Sequence, residues 1–199
     1  MARPRKFDEA RVIDAAMDTF WRRGYEATST RDLSERTELG PSSLYNAFGD
    51  KHQLYLRSLR QYQETATAEQ VEVLRAPGPV EDRLRNLLAT AIDTDLSGTD
   101  RPGCFAINAA IERAAVDPDA REQVRQNFAV VEEALREALA EGQRSGEIDQ
   151  TRSAESLARQ VLSTYYGLRV LARVQPDRSA LMDVVENLLK SCAAAEERG

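Results

Sequence analysis

Histidine occurs once in the 199 residues, at His52, and cysteine only twice, at Cys104 and Cys192. A single imidazole near the N-terminus leaves the rest of the chain without a Ser-His-Asp or Cys-His arrangement and without the paired Glu-x-x-His motifs of di-iron bundles. Two thiols so far apart make neither a disulfide framework nor a zinc finger, which points to a reducing compartment. No run of about 18 apolar residues occurs, so no membrane-spanning helix is expected. The stretch Met1-Ala2-Arg3-Pro4-Arg5-Lys6 lacks the apolar core of a signal peptide, and a cytoplasmic protein is expected. There is no glycine-rich phosphate loop. These absences disfavour an enzyme and give no reason to expect a cofactor or a metal.

What is present is an ordinary globular composition, 42% hydrophobic and 30% charged with 10 Gly and 7 Pro, enough to bury a core without covalent staples. The net charge of −6 is unevenly spread. Residues 1–60 hold 11 Lys and Arg against 9 Asp and Glu, whereas residues 61–199 hold 16 against 24. A mildly basic head on an acidic body leaves the head free to approach phosphates.

Apolar residues recur at helical spacing nearly throughout, which predicts an all-α fold. Val12, Ile13, Ala16 and Phe20 form a first stripe that ends at Arg22-Arg23-Gly24. A short helix is expected from Thr30 to Arg36, entered through Thr28 or Ser29 as N-cap, and another from Pro41 to Phe48 with Pro at its first position. Asp50 to Gln53 has a capping-box shape and opens a longer helix that Ala76-Pro77-Gly78-Pro79 breaks. A stripe from Val80 to Ile92 follows, then a polar loop, a short helix from Cys104 to Ala115, and a long one after Asp117-Pro118 with Val124, Phe128, Val131, Leu135 and Leu139 inward. Two last stripes, Leu157 to Leu171 and Leu181 to Cys192, are wide enough to meet two more across a two-fold axis. The lesser reading is that such a stripe serves the intramolecular core alone.

Thr30 to Phe48 carries the functional signal. Two short helices joined by a turn at Thr37-Glu38-Leu39-Gly40 and propped by a preceding helix are the form of a helix-turn-helix, which offers one helix N-terminus to the DNA major groove. On the second helix Leu44 and Phe48 share one side, while Ser42, Tyr45 and Asn46 face away. Ser and Asn suit base edges, Asn pairing bidentately with adenine. The Tyr hydroxyl, Lys51 and His52 are placed for phosphate oxygens beside the reading helix, with Thr30 and Arg31 on the other side. The bland alternative is a set of solvated polar positions. The arm Arg3-Pro4-Arg5-Lys6 is either a tail or a basic arm following the groove.

The strings Phe20-Trp21-Arg22-Arg23-Gly24-Tyr25-Glu26-Ala27-Thr28-Ser29, Arg31-Asp32-Leu33 and Ser43-Leu44-Tyr45-Asn46-Ala47-Phe48-Gly49-Asp50-Lys51 resemble the N-terminal domain of the TetR (tetracycline repressor-like) family of bacterial regulators. The resemblance implies a nine-helix fold: three helices in a helix-turn-helix DNA-binding domain over residues 1–50, and six in a ligand-binding and dimerisation domain over residues 51–199. It implies a homodimer closed by the last two helices, an inverted-repeat operator as partner, and a small-molecule effector bound in the body. Carried over by position, Thr30, Arg31, Ser42, Ser43, Tyr45, Asn46 and Lys51 are its DNA contacts. Glu38 departs from the pattern, because the family usually has Gly in that turn, where a left-handed backbone costs a side-chain-bearing residue about 1–2 kcal/mol.

In the body, Gly103-Cys104-Phe105-Ala106-Ile107-Asn108 sets a thiol and an amide on an apolar helix packed through Phe105, Ile107 and Ile111. The pattern is similar to a TetR subgroup in which some members sense oxidants or electrophiles through the cysteine. Cys104 would then be an exposed thiol activated at a helix N-terminus; otherwise it is a small buried hydrophobe and Asn108 a structural amide. Phe105, Phe128, Tyr165 and Tyr166 are candidates to line an effector pocket or to pack the core. The reading overall is a transcriptional repressor released by a small-molecule or redox signal, the alternative a helical dimeric ligand-binding or adaptor protein without DNA binding.

Overall fold

The computed structural model describes residues 7–97, 100 and 102–194. The arm Arg3 to Lys6 lies outside them. The described residues form α1 (Glu9–Arg23), α2 (Thr30–Thr37), α3 (Pro41–Phe48), α4 (Lys51–Tyr62), α5 (Ala68–Arg75), α6 (Val80–Leu96), α7 (Phe105–Glu112), α8 (Pro118–Ser145), α9 (Ala154–Val174) and α10 (Arg178–Cys192). A π turn, Gln63–Thr67, joins α4 and α5 without a break, so the helical runs number nine, as expected. The one β-type pairing among them is an isolated bridge between Ile148 and Ala193.

The chain packs as two compact units. One comprises the described residues up to Thr65 together with Cys104–Asn127; the other comprises Ala66–Gly103 and Phe128 onward. The sequence division at residue 50 therefore does not follow the packing: α4 belongs with α1–α3 because Leu54, Tyr55, Leu59 and Tyr62 are buried there, and α7 joins them through Phe105.

In the first unit side chains cap the starts of α1, α2 and α4, at Ser29 and Asp50 as the sequence suggests and at Asp8 besides. Asp8 Oδ1 accepts the Ala10 and Arg11 N–H groups at the start of α1. Ser29 and Asp32 form a reciprocal capping box on α2, and Asp50 accepts the Gln53 N–H at 2.8 Å on α4. Val12, Ala16 and Phe20 of α1 are buried, with Leu33 of α2 and Leu44 and Phe48 of α3 at 0–2% exposure. Glu38, which caps α2, has φ 59° and ψ 22°, the left-handed conformation anticipated for that turn and the one positive φ outside glycine among the described residues. Its carboxylate reaches Arg11 at 2.9 Å, but both side chains are 72% exposed and the pair contributes little.

The second unit buries one apolar cluster from α5, α6, the C-terminal part of α8, α9 and α10, including Leu84, Leu88, Leu135, Leu139, Val161 and Val185. Leu181, Val185, Leu188, Leu189 and Cys192, expected to face a second copy, are buried within the subunit, as are Leu157, Val161 and Leu168. What the last two helices leave outward is Val170, Leu171 and Val174 of α9 and Val184 of α10, 40–77% exposed. The inner stripes thus meet their own subunit's α6 and α8, and the apolar surplus lies one position round the helix.

A buried ion pair crosses this core. The Arg169 guanidinium of α9 holds both Asp95 oxygens of α6 at 2.7 and 2.8 Å and donates to Tyr165 Oη at 3.2 Å, the two charged side chains being 6% and 2% exposed. Asp95→Ala, which removes the carboxylate and leaves the guanidinium buried, should destabilise the protein by about 3–5 kcal/mol in urea unfolding. A change below about 1 kcal/mol would mean that water already screens the pair. In the other direction, Glu38→Gly should raise stability by about 1 kcal/mol, since glycine adopts that backbone without strain. Calorimetry should then record a Tm higher by roughly 2–4 °C, and an unchanged or lower Tm would contradict the strain.

Candidate nucleic-acid interface

Pro41 starts α3 at the position where its missing N–H is no loss, and Gly40 precedes it as an N-cap without a side-chain bond, so the first turn of α3 presents its backbone N–H groups uncovered. Leu44 and Phe48 anchor the inner side. Ser42, Ser43 and Asn46 are exposed on the outer side. The structure therefore separates the expected base-reading residues from the packing residues of the same two-turn helix.

Tyr45 is half-buried, and its hydroxyl is 2.8 Å from Thr30 Oγ1 at the start of α2, tying the two helices together at the rim of this face. Arg31, one residue on, is 87% exposed and paired with Glu35 at 2.7 Å. Lys51 Nζ stands 4.3 Å over the Tyr25 ring, a cation–π contact at the start of α4. His52 is placed differently from expectation. Its Nε2 is 3.0 Å from Asp117 Oδ2, so the ring turns toward the start of α8 rather than outward for a phosphate.

Asp117 explains this. It is the N-cap of α8, its Oδ1 accepting the Ala120 N–H at 3.0 Å while Oδ2 meets His52 and Arg113. Burial pushes its carboxyl up, yet the Ala120 N–H, His52 and Arg113 together hold it below the ordinary aspartate range. His52, Asp117 and Asp119 bring three ligand-type atoms within 4.8 Å of one another. Both Asp117 oxygens already have donors, however, and the Arg113 cation among them opposes a metal.

Of the candidate sensing residues, Cys104 and Phe105 lie in the first unit. Cys104 is the N-cap of α7 and 5% exposed, with the Tyr62 hydroxyl 3.4 Å from its sulfur. Phe105 is enclosed by the rings of Trp21, Tyr55 and Tyr62 at 5.8–6.4 Å. Asn108 is half-buried one turn on. Ile111, expected to pack, is 75% exposed, because α7 turns Glu112 rather than Ile111 toward the turn that follows α1. Phe128, Tyr165 and Tyr166 come together in the second unit, with ring centroids 4.4 and 5.4 Å apart. The four aromatic residues read as one group therefore fall into two clusters. Sequence reasoning missed Glu112 and Arg113, whose contacts with Tyr25 and Glu26 are distant in the chain and carry no local pattern.

Two family models match: "Bacterial regulatory proteins, tetR family" over residues 12–57, and "Tetracyclin repressor-like, C-terminal domain" over residues 79–188. Among curated proteins, the uncharacterized HTH-type transcriptional regulator YezE of Bacillus subtilis is 29% identical over 94% of this chain and 96% of its own length. The HTH-type transcriptional repressor ComR of Escherichia coli is 30% identical over 94% and 90%. A cysteine mutant of the TetR family transcriptional regulator CifR, solved with 26-bp double-strand operator DNA, superposes with a TM-score of 0.84 at 29% identity, covering 96% of this chain and 100% of that one. The reduced form of NemR from E. coli, at 16% identity and TM-score 0.86, shares the fold. With the C-terminal model alone spanning more than half of the sequence and the N-terminal one lying on the helix-turn-helix, the chain belongs to the TetR family of transcriptional regulators.

Proposed function

We propose that two copies of this chain repress transcription by holding an inverted-repeat operator with α2 and α3, and release it when a small molecule binds the second unit. The observation that carries the reading is the division of α3. Leu44 and Phe48 are buried, whereas Ser42, Ser43 and Asn46 stand exposed beside an uncapped helix N-terminus. Asn46 would read a base edge, the Thr30 and Tyr45 hydroxyls, Arg31 and Lys51 would take phosphates, and Ser42 and Ser43 would serve either. ComR, named a repressor, and CifR, solved on operator DNA, support this reading by similarity.

Val170, Leu171, Val174 and Val184 supply an apolar surface for the second copy, and a Cβ added at Gly167 on the same helix would meet nothing within 4 Å, leaving room for close approach. The Phe128, Tyr165 and Tyr166 rings, apolar with hydroxyl tips, support an effector of mainly apolar character. The alternative signal, a reaction at Cys104, has less support, since that thiol is enclosed against Tyr62.

The test is a fluorescence-anisotropy titration of DNA from the chain's own promoter against a scrambled duplex over a range of salt. Wild type should prefer the promoter, with affinity falling steeply as salt rises. Asn46→Ala should weaken promoter binding by about 1–3 kcal/mol, chiefly at one base position, whereas Lys51→Ala should weaken both duplexes alike. In the same titration Cys104→Ser should bind as wild type does, with mild peroxide present or absent. Equal binding to both duplexes at every salt concentration contradicts sequence-specific readout, and peroxide release abolished by Cys104→Ser would install the thiol mechanism instead.

A further inference from the structure

The turn between α1 and α2 leaves the backbone N–H groups of Tyr25 and Glu26 without helical acceptors. A side chain far along the sequence satisfies both. The two oxygens of Glu112, the last residue of α7, accept from Tyr25 N and from Glu26 N at 2.9 Å each. The approach is so close that a Cβ on Gly24 would stand 2.9 Å from Glu112 Oε2, and Gly24 itself has φ 82°, a backbone that other residues rarely adopt. Arg113 completes the clasp, with its guanidinium 4.4 Å over the Tyr25 ring and bonded to Glu26 and to Asp117.

This clasp lies immediately ahead of the DNA-binding element. Thr28 Oγ1 closes the turn on the Gly24 carbonyl at 2.6 Å, Ser29 is the N-cap of α2, and Thr30, tied to Tyr45 of α3, is its first residue. A carboxylate gripping two consecutive N–H groups fixes both peptide planes, and charge-assisted bonds of this kind are about twice as strong as neutral ones. α2 is only eight residues long, so its direction is set at its ends and by Leu33 rather than by its own stiffness.

We propose that Glu112 is a positioning residue for operator recognition: it fixes the entry of α2, and through the Thr30–Tyr45 link the attitude of α3, while contacting no DNA itself. The inference rests on α2 and α3 being the DNA-reading element.

The test compares wild type and Glu112→Gln, nearly equal in size but able to accept at one oxygen only, on operator and scrambled duplexes, together with amide exchange by NMR. Glu112→Gln should bind operator roughly tenfold more weakly while scrambled DNA is bound as before. Exchange should accelerate at the Tyr25 and Glu26 amides and not in α4. A purely structural carboxylate would lower the melting temperature and leave the ratio of operator to scrambled affinity in the folded molecules unchanged. That ratio staying within twofold of wild type overturns the proposal. Should Glu112→Gln fail to fold, Glu112→Asp, which keeps the charge with a shorter reach, is read by the same ratio. Absence of operator preference in the wild type itself overturns the inference together with the reading beneath it, and is told apart because no variant is then needed to see it.

Discussion

Two eight-residue helices in water have no stability of their own, because each is too short to repay its nucleation. Everything functional in the first unit depends on how α2 and α3 are nonetheless held. Burial of Leu33, Leu44 and Phe48 against α1 and α4 supplies the energy, while the Ser29–Asp32 capping box and Pro41 define where each helix begins. Because Leu44 and Phe48 carry the packing of α3, Ser42, Ser43 and Asn46 are released from it. These three small polar residues form a surface that contributes little to folding and is available for recognition. The Glu112 clasp adds direction to this arrangement where the apolar contacts supply affinity.

The second unit uses a different device. Its core is apolar and large, and a charged contact crosses it. The Arg169–Asp95 pair, bidentate and almost wholly enclosed, has one geometry that satisfies it. Desolvating two charges offsets most of their attraction, so such a pair adds little net stability compared with an apolar replacement. The pair ties α6 to α9, the helix that leaves Val170, Leu171 and Val174 exposed.

Much of this was legible in the sequence where the cause is local. The helix starts at Pro41, Asp50, Asp117-Pro118 and Ser153 follow from capping chemistry confined to a few residues, whereas the left-handed turn at Glu38 was implied by the family resemblance. The inward side of α3 followed from periodicity. What periodicity cannot give is the identity of the neighbour. The stripe from Leu181 to Cys192 is apolar whether it faces its own subunit or another, and the structure puts it inside. Phe105 and Phe128 look alike in sequence, yet they belong to different aromatic clusters. His52 reads as a phosphate contact beside the recognition helix until its partner, 65 residues away, is in view. Glu112 was illegible for the same reason, since its two acceptor bonds are to backbone groups, which leave no mark in side-chain patterns.

Operator binding through an inverted repeat requires a symmetric pair of these chains to place two α3 helices in successive major grooves on one face of DNA. Hydroxyl-radical footprinting on promoter DNA, run beside light scattering of the free protein, reads that placement. A dimer in solution and two protected half-sites centred about 10 base pairs or a small multiple apart, related by an inverted repeat, are the expected result. A monomer at micromolar concentration, or protection without two-fold symmetry, would rule the symmetric placement out.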